Sequence, residues 1–370
     1  MTQASRRPAL AQAAVLRRPR HLVVEELALP EVGEDDAVLA VEACGLCGTD
    51  HEQFCGVLDG GFAFVPGHEV VGVVESLGRR AAERFGVQAG QRVAVEVFKS
   101  CRACPACSQG RYRFCQRHGL ADMYGYTPLD RPPGLWGGYA THLYLDPDAL
   151  VLPVPPGLDP VVATLFNPLG AGLRWAVELP DTGPGDVVVV MGPGIRGICC
   201  LIALRHHGAG FVAVTGLGRR DRARLELARE LGADLVVDVE SDDPRPALLA
   251  EAGRLADVVV DVTARAPGAL GQAVSLAGEG ARVVVAGTKG SAATPGFHPD
   301  LVVYKELTLI GALGVDVAAY TRALALLADR RAAFEGLPRR VVGFDGLASL
   351  LSSMAGEGPG PPPLHGVFRP

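Results

Sequence analysis

The sequence predicts an α/β protein of two domains, one of them a doubly wound parallel sheet. Three observations predict it. A chain of 370 residues is longer than one ordinary domain and favours two. From Asp186 onward, short β-branched runs alternate with helical ones, and the series opens as strand, G-x-G-x-x-G, helix, strand. Seven of the nine cysteines crowd between Cys44 and Cys115, which marks the first domain as metal-bearing.

Composition narrows the function. The chain is 48% hydrophobic and 21% charged, as expected of a globular protein with a sizeable core. Net charge is −6 and no long basic stripe is present, so nucleic acid is not an expected partner. No apolar run reaches the roughly 18–20 residues of a membrane span, so no membrane partner is expected. The first twenty residues are basic but lack an apolar h-region and do not read as a secretory signal, which points to the cytoplasm. An odd number of clustered cysteines in such a chain favours metal binding over disulfides.

In chain order, residues 37–43 (AVLAVEA) read as a strand leading into Cys47-Gly48-Thr49-Asp50. A second cluster, Gly67-His68-Glu69, opens the β-branched run 70–74 (VVGVV), a buried-strand pattern. Thiolate, imidazole and carboxylate are the ligand types zinc prefers, and the neighbouring glycines let the backbone turn sharply. Two loop-borne clusters on a β scaffold suit a catalytic metal; the alternative is a small buried Cys and an unrelated surface His. Residues 92–98 (RVAVEVF) alternate like another strand. Cys101, Cys104, Cys107 and Cys115 follow, spaced C-x2-C-x2-C-x7-C. Four thiolates at such short intervals can enclose one tetrahedral ion and leave no open position, so the expected zinc is structural.

Residues 136–140 (WGGYA) precede a strand-like run and a Pro-rich stretch at 151–160. Helical spacing over 163–178 is interrupted by Pro168 and Gly170, and a turn follows at 182–185; the domain junction is expected between Pro168 and Gly185. Residues 186–191 (DVVVVM) then form the first strand of the second domain. Gly192, Gly194, Ile195, Arg196 and Gly197 lie in the G-x-G-x-x-G turn, which brings a dinucleotide pyrophosphate to a helix N-terminus. Further strands are expected at 235–239, 257–262 and 282–287. A free ribose 2′-OH is usually read by an acid at the tip of the second strand. Here the tip reads Thr215-Gly216-Leu217-Gly218-Arg219-Arg220, with two guanidinium groups that suit a 2′-phosphate; the alternative is two solvated arginines at a helix start. The tail shows a helical segment at 318–331, a strand-like 339–344 and a Pro-rich finish, with no internal repeats.

C-G-T-D, G-H-E, four close cysteines, G-G-Y-A and strand–GxGxxG–helix, in that order, resemble the zinc-containing medium-chain dehydrogenase/reductase family of alcohol, polyol, glucose and threonine dehydrogenases. The resemblance implies a GroES-like β-barrel catalytic domain at 1–170, with a structural-zinc lobe at about 98–118. It also implies a Rossmann NAD(P)-binding domain at 171–308, a return to the catalytic domain over 309–370, and a homodimer or homotetramer. Carried over, Cys47, His68 and Glu69 would be catalytic-zinc ligands, with Asp50 orienting His68 and Thr49 touching the substrate hydroxyl. Cys101, Cys104, Cys107 and Cys115 would hold the structural zinc, and Gly192, Gly194 and Gly197 the dinucleotide. Relatives place a Cys or Glu at the junction where this chain has Asn167, a poorer ligand. The relay histidine of many relatives follows the Asp after a gap, whereas His51 follows Asp50 directly.

The reading is a zinc-dependent oxidoreductase interconverting a small-molecule alcohol and its carbonyl, with NADP(H) favoured over NAD(H). Two alternatives remain at this stage: an NADPH-dependent reductase of C=C or C=N bonds without a functional catalytic zinc, and a non-enzymatic NADP-binding zinc protein. Phe54, Leu58 and Trp136 are candidate pocket residues by position.

Overall fold

A computed structural model describes residues 9–58, 60–291, 293–354, 356–357 and 362–370. The first eight residues of the basic N-terminal stretch, and positions 359–361 of the expected polyproline run, lie outside the described residues. The chain divides into two compact units, Met1–Phe166 with Leu324–Pro370, and Asn167–Ala323.

The first unit opens with an antiparallel hairpin, β1 (Leu10–Arg18) and β2 (His21–Ala28). β3 (Ala37–Leu46) runs up to the edge of the first ligand cluster, three residues longer than the sequence suggests. It pairs antiparallel with β4 (Glu69–Leu77), and their register sets Gly45 opposite Glu69. β5 (Arg92–Val95), β6 (His142–Leu145) and β7 (Val151–Pro153) extend the same sheet. The expected strand at 92–98 stops at Val95, because Glu96 turns its carboxylate back to accept from the Phe98 N–H at 3.2 Å. Leu39, Val70, Val74, Val93 and Leu143 build the core between these strands, as the period-2 pattern requires.

In the second unit, β8 (Val187–Met191), β9 (Phe211–Gly216), β10 (Leu235–Asp238), β11 (Ala256–Asp261), β12 (Ala277–Val285) and β13 (Thr308–Gly311) form one sheet. Its order is β10-β9-β8-β11-β12-β13, parallel throughout. This is the doubly wound order 3-2-1-4-5-6, with the dinucleotide crevice expected beyond the carboxyl ends of the central strands. Val187 to Met191 are all buried, which explains their continuous apolar reading. The return expected at residue 309 falls inside this unit: β13 is the sheet's edge strand, so the tail rejoins the first unit only at Leu324. Two strands close the chain, β14 (Arg339–Val342) and β15 (His365–Phe368), and β15 pairs antiparallel with β3 across Gly366 and Leu46.

Candidate functional site

Cys47 sits at the mouth of β3, in extended backbone at φ −118°, and caps the helix Gly48–Phe54. Its own N–H donates to Asp50 Oδ2 at 2.8 Å, which ties the cap to the helix's first turn. The other Asp50 oxygen faces His68 Nδ1 at 3.5 Å, and His68 Nε2 stands 3.2 Å from Cys47 Sγ. Glu69 follows at the start of β4, buried against Gly45. One ligand atom each from Cys47, His68 and Glu69 falls within 4.8 Å of the others. Burial disfavours charge on His68, but Cys47 and Asp50 outweigh it and hold its pKa well above the ordinary value. Burial likewise pushes Asp50 up, and His68 with the Cys47 N–H more than offsets it.

These donors fit zinc. Tetrahedral Zn–S and Zn–N bonds place sulfur and nitrogen about 3.6 Å apart, close to the observed 3.2 Å. Among the described residues, the buried Asp50 Oδ1 and His68 Nδ1 have no other hydrogen-bond partner, the arrangement of a carboxylate that orients a metal-binding imidazole. A zinc ion held by these three side chains would keep a fourth position open.

The second sulfur set also closes. Cys101, Cys104, Cys107 and Cys115 present four sulfurs within 4.8 Å of one another. Cys101 Sγ and Cys107 Sγ lie 3.8 Å apart, and the edge of a tetrahedral Zn–S₄ site is about 3.8 Å. Backbone N–H groups of Gln116 and Cys107 draw the Cys104 thiol down to about 6, which favours the thiolate that metals bind.

Residues beyond the sequence reading complete the surroundings of the first set. Tyr126 tilts its ring toward His68 with centroids 6.1 Å apart, and the half-buried Thr49 lies near its hydroxyl. Burial pushes the Tyr126 hydroxyl up to about 12. Tyr139 fills the space that a side chain on Gly67 would take, which explains both the glycine and the G-G-Y-A motif. Two expectations need correction. Phe54 and Trp136 are core side chains, not pocket walls: Trp136 packs under the Lys99 ammonium at 4.1 Å, and Arg20 covers the Phe54 ring. Leu58 is exposed. His51 turns its Nε2 to Cys55 Sγ at 3.0 Å.

In the second unit, Gly192 takes φ +102°, and a side chain on Gly197 would collide with the Gly192 carbonyl; only glycine permits this turn. Gly194 caps the helix Ile195–His207, which buries Ile195 and Gly197. Arg196 donates to Asn167 Oδ1 at 3.1 Å and stacks on Trp175, while Asn167 Nδ2 donates to the Tyr320 hydroxyl at 2.8 Å. The Asn167 amide is thus engaged on both sides within this unit. Thr215 is buried at the end of β9, and its carbonyl accepts from the Gly192 N–H at 2.9 Å. Gly216 packs against Pro193. Arg219 and Arg220 are exposed. The strand tip is less bare than its own sequence suggests: Asp238 Oδ1, from β10, accepts from the Gly218 N–H at 2.7 Å, and Glu240 packs beside Gly218.

The alcohol dehydrogenase GroES-like domain family matches residues 33–156, and the zinc-binding dehydrogenase family matches 197–329. A probable alcohol dehydrogenase of Mycobacterium tuberculosis is 61% identical over 363 residues, covering 98% of this chain and 99% of its own. The chain belongs to the zinc-containing medium-chain dehydrogenase/reductase family. An erythritol/L-threitol dehydrogenase of Mycolicibacterium smegmatis is 30% identical over 316 residues, covering 82% and 83%. An alcohol dehydrogenase of Thermotoga maritima shares the fold at TM-score 0.85 and 23% identity, covering 98% of this chain and all of that one. As a medium-chain dehydrogenase/reductase, the protein pairs a GroES-like domain with a Rossmann domain and is an oxidoreductase. The family's zinc and nicotinamide cofactor, and its small-molecule substrates, apply to it. The non-enzymatic reading is thereby set aside. Among the described residues, no helix is long and apolar enough to cross a membrane.

Proposed function

We propose that the protein interconverts an alcohol, of secondary or polyol type, and its carbonyl, using Cys47, His68 and Glu69 to hold a catalytic zinc. The observation that carries this reading is the buried thiolate, imidazole and carboxylate within 4.8 Å of one another. When bound, zinc supplies Lewis acidity to a substrate oxygen, and the nicotinamide supplies or accepts hydride. The chain's own residues do the rest. Asp50 fixes the His68 tautomer by facing Nδ1, so Nε2 stays directed toward Cys47. The Thr49 hydroxyl, near that of Tyr126, would pass the substrate's hydroxyl proton outward. Burial of Cys47, Asp50, His68 and Glu69 keeps bulk water from the ligand set and strengthens its electrostatics. The polyol side of the reading rests on likeness to the erythritol/L-threitol dehydrogenase.

Asn167 is doubtful as a further ligand, since both ends of its amide are engaged by Arg196 and Tyr320. Cofactor preference falls to NADP(H), supported by Arg219 and Arg220 at the start of the helix after β9. Asp238 and Glu240 beside Gly218 favour the second reading, NAD(H), because carboxylates repel a 2′-phosphate and suit a free hydroxyl. Cytoplasmic location and a homo-oligomer complete the proposal, and the homo-oligomer rests on the family resemblance. The test is a screen of alcohols and polyols with both cofactors, run on zinc-loaded protein and on Cys47→Ala. Turnover on no alcohol, with reduction of activated C=C or C=N bonds that survives Cys47→Ala, favours the metal-free reductase.

A further inference from the structure

The helix that carries Thr49 and Asp50 ends in a second constellation. His51 lies one turn before Cys55, and Cys55 caps the helix. His51 Nε2 stands 3.0 Å from Cys55 Sγ, and Arg20 Nη2 stands 3.2 Å from the same sulfur. The Arg20 guanidinium also donates to both oxygens of Glu357, at 3.0 Å each. Glu357 lies 3.9 Å from Cys55 Sγ and 3.6 Å from His51 Nε2.

Arg20 is held in this position. It takes φ +59° in the turn between β1 and β2, and its N–H donates to the Phe54 carbonyl at 2.6 Å. A left-handed arginine persists only where its surroundings fix it. Gly56, at φ +79°, admits the Pro19 ring against the helix end, at the place its own side chain would take. The hairpin turn and the helix end are therefore fitted to one another around the Cys55 sulfur.

The hydrogen-bond chemistry is directional. A guanidinium can only donate, so Cys55 sulfur must accept from Arg20. In the His51 tautomer with a bare Nε2, that nitrogen at 3.0 Å accepts the thiol proton and can take it as the sulfur becomes a thiolate, while Glu357 Oε1 is the longer acceptor at 3.9 Å. The Glu357 carboxylate and the C-terminal end of the short helix oppose that charge, and Arg20 and the His51 imidazolium favour it. Cys55 is also the accessible cysteine. Cys47, Cys101, Cys104, Cys107 and Cys115 belong to the two ligand sets, and Cys44, Cys199 and Cys200 are buried.

We propose that Cys55 is a reactive thiol, a modification site that exchanges with low-molecular-weight disulfides. The Cys55 thiolate attacks one sulfur of the disulfide, a new S–S bond forms, and the old S–S bond breaks. The departing thiolate leaves with the bonding pair and takes up the proton held by His51. Cys55 is oxidised to the mixed disulfide, and the departing half is reduced to a thiol.

The test uses full-length, zinc-loaded protein and 4,4′-dithiodipyridine, followed by release of the coloured thione. One equivalent should react fast, and Cys55→Ser should remove that phase with zinc content unchanged. The pH–rate midpoint of the phase should lie below the roughly 8.5 of an ordinary thiol. Arg20→Ala and His51→Ala should move it upward and slow the reaction several-fold at pH 6, while Arg20→Lys retains most of the rate. Because His51→Ala could disturb the helix, the two arginine variants stand as an independent pair. A fast phase that survives Cys55→Ser, or a midpoint at the ordinary thiol value in the unaltered protein, overturns the proposal. So does a midpoint indifferent to both alanine variants. A third zinc per chain that Cys55→Ser removes also overturns it, since His51, Cys55 and Glu357 would then be a metal site.

Discussion

Glu96 makes the linkage between the zinc lobe and the sheet measurable. The residue is fully buried just after β5, accepts from the Tyr112 hydroxyl at 2.7 Å and from the Phe98 N–H at 3.2 Å, and feels the Arg113 guanidinium. Burial is the dominant influence and pushes its carboxyl from an ordinary 4.5 up to about 7, against the opposing pull of Tyr112 and Phe98. The folded state therefore holds this proton more tightly than the unfolded state does. Stability from the group is fully present below pH 4.5 and is lost as pH rises through 7. A shift of that size corresponds to about 3 kcal/mol. Glu96→Gln removes the ionisation and keeps an acceptor for Phe98. It should leave stability near pH 4.5 little changed and raise it by about 3 kcal/mol at pH 8. Urea unfolding of zinc-loaded protein at several pH values measures both. If the difference between variant and parent is flat from pH 4.5 to 8, the buried carboxyl does not titrate as described and the reasoning fails.

Cys104→Ser should release one zinc and lower Tm by about 10 °C or more, because the lobe's fold is linked to its metal; calorimetry with metal analysis checks this, and unchanged zinc content argues against a structural site. Gly45→Ala would drive a methyl group into the Glu69 carboxylate, with Glu69 Cβ only 3.2 Å away. It should weaken catalytic zinc about tenfold in chelator competition, a loss of about 1.4 kcal/mol, and unchanged affinity would place Glu69 outside the ligand set. Replacing Arg219 and Arg220 together with alanine should lower kcat/KM for NADP at least tenfold and leave NAD nearly unaffected. If the ratio is unmoved and Glu240→Gln instead weakens NAD, the carboxylates read the ribose.

Much of this was legible in the sequence, for identifiable reasons. The ligand clusters are local: Cys47 to Asp50 is one helix cap, and His68-Glu69 is one strand start, so spacing alone carries the chemistry. The doubly wound class of the second unit was visible because its strands, such as 187–191, are buried and read as unbroken apolar runs. What sequence order hides is contact between distant segments. Asp238 reaches Gly218 from the next strand, twenty positions on, so a search for an acid at the strand's own tip overlooks it. Tyr126 meets Thr49 from a loop with no periodic signal. Trp136 looked like a pocket residue, yet it lies beneath a buried Lys99 whose ammonium is paired with Asp122 at 2.9 Å, a network no local pattern announces. The late return of the tail followed from β13, a short and largely exposed edge strand lacking the apolar run that marked the central strands.

The most direct measurement of the central claim is zinc content and alcohol-linked cofactor turnover in the parent and in Cys47→Ala, on the same preparations. The account predicts about two zinc ions per chain in the parent and one in the variant. It also predicts turnover lower by about 1000-fold or more, since removing the metal costs several kcal/mol of transition-state stabilisation. Two zinc ions in both proteins, or one in both with turnover preserved, would contradict the assignment of Cys47, His68 and Glu69 as the catalytic metal site.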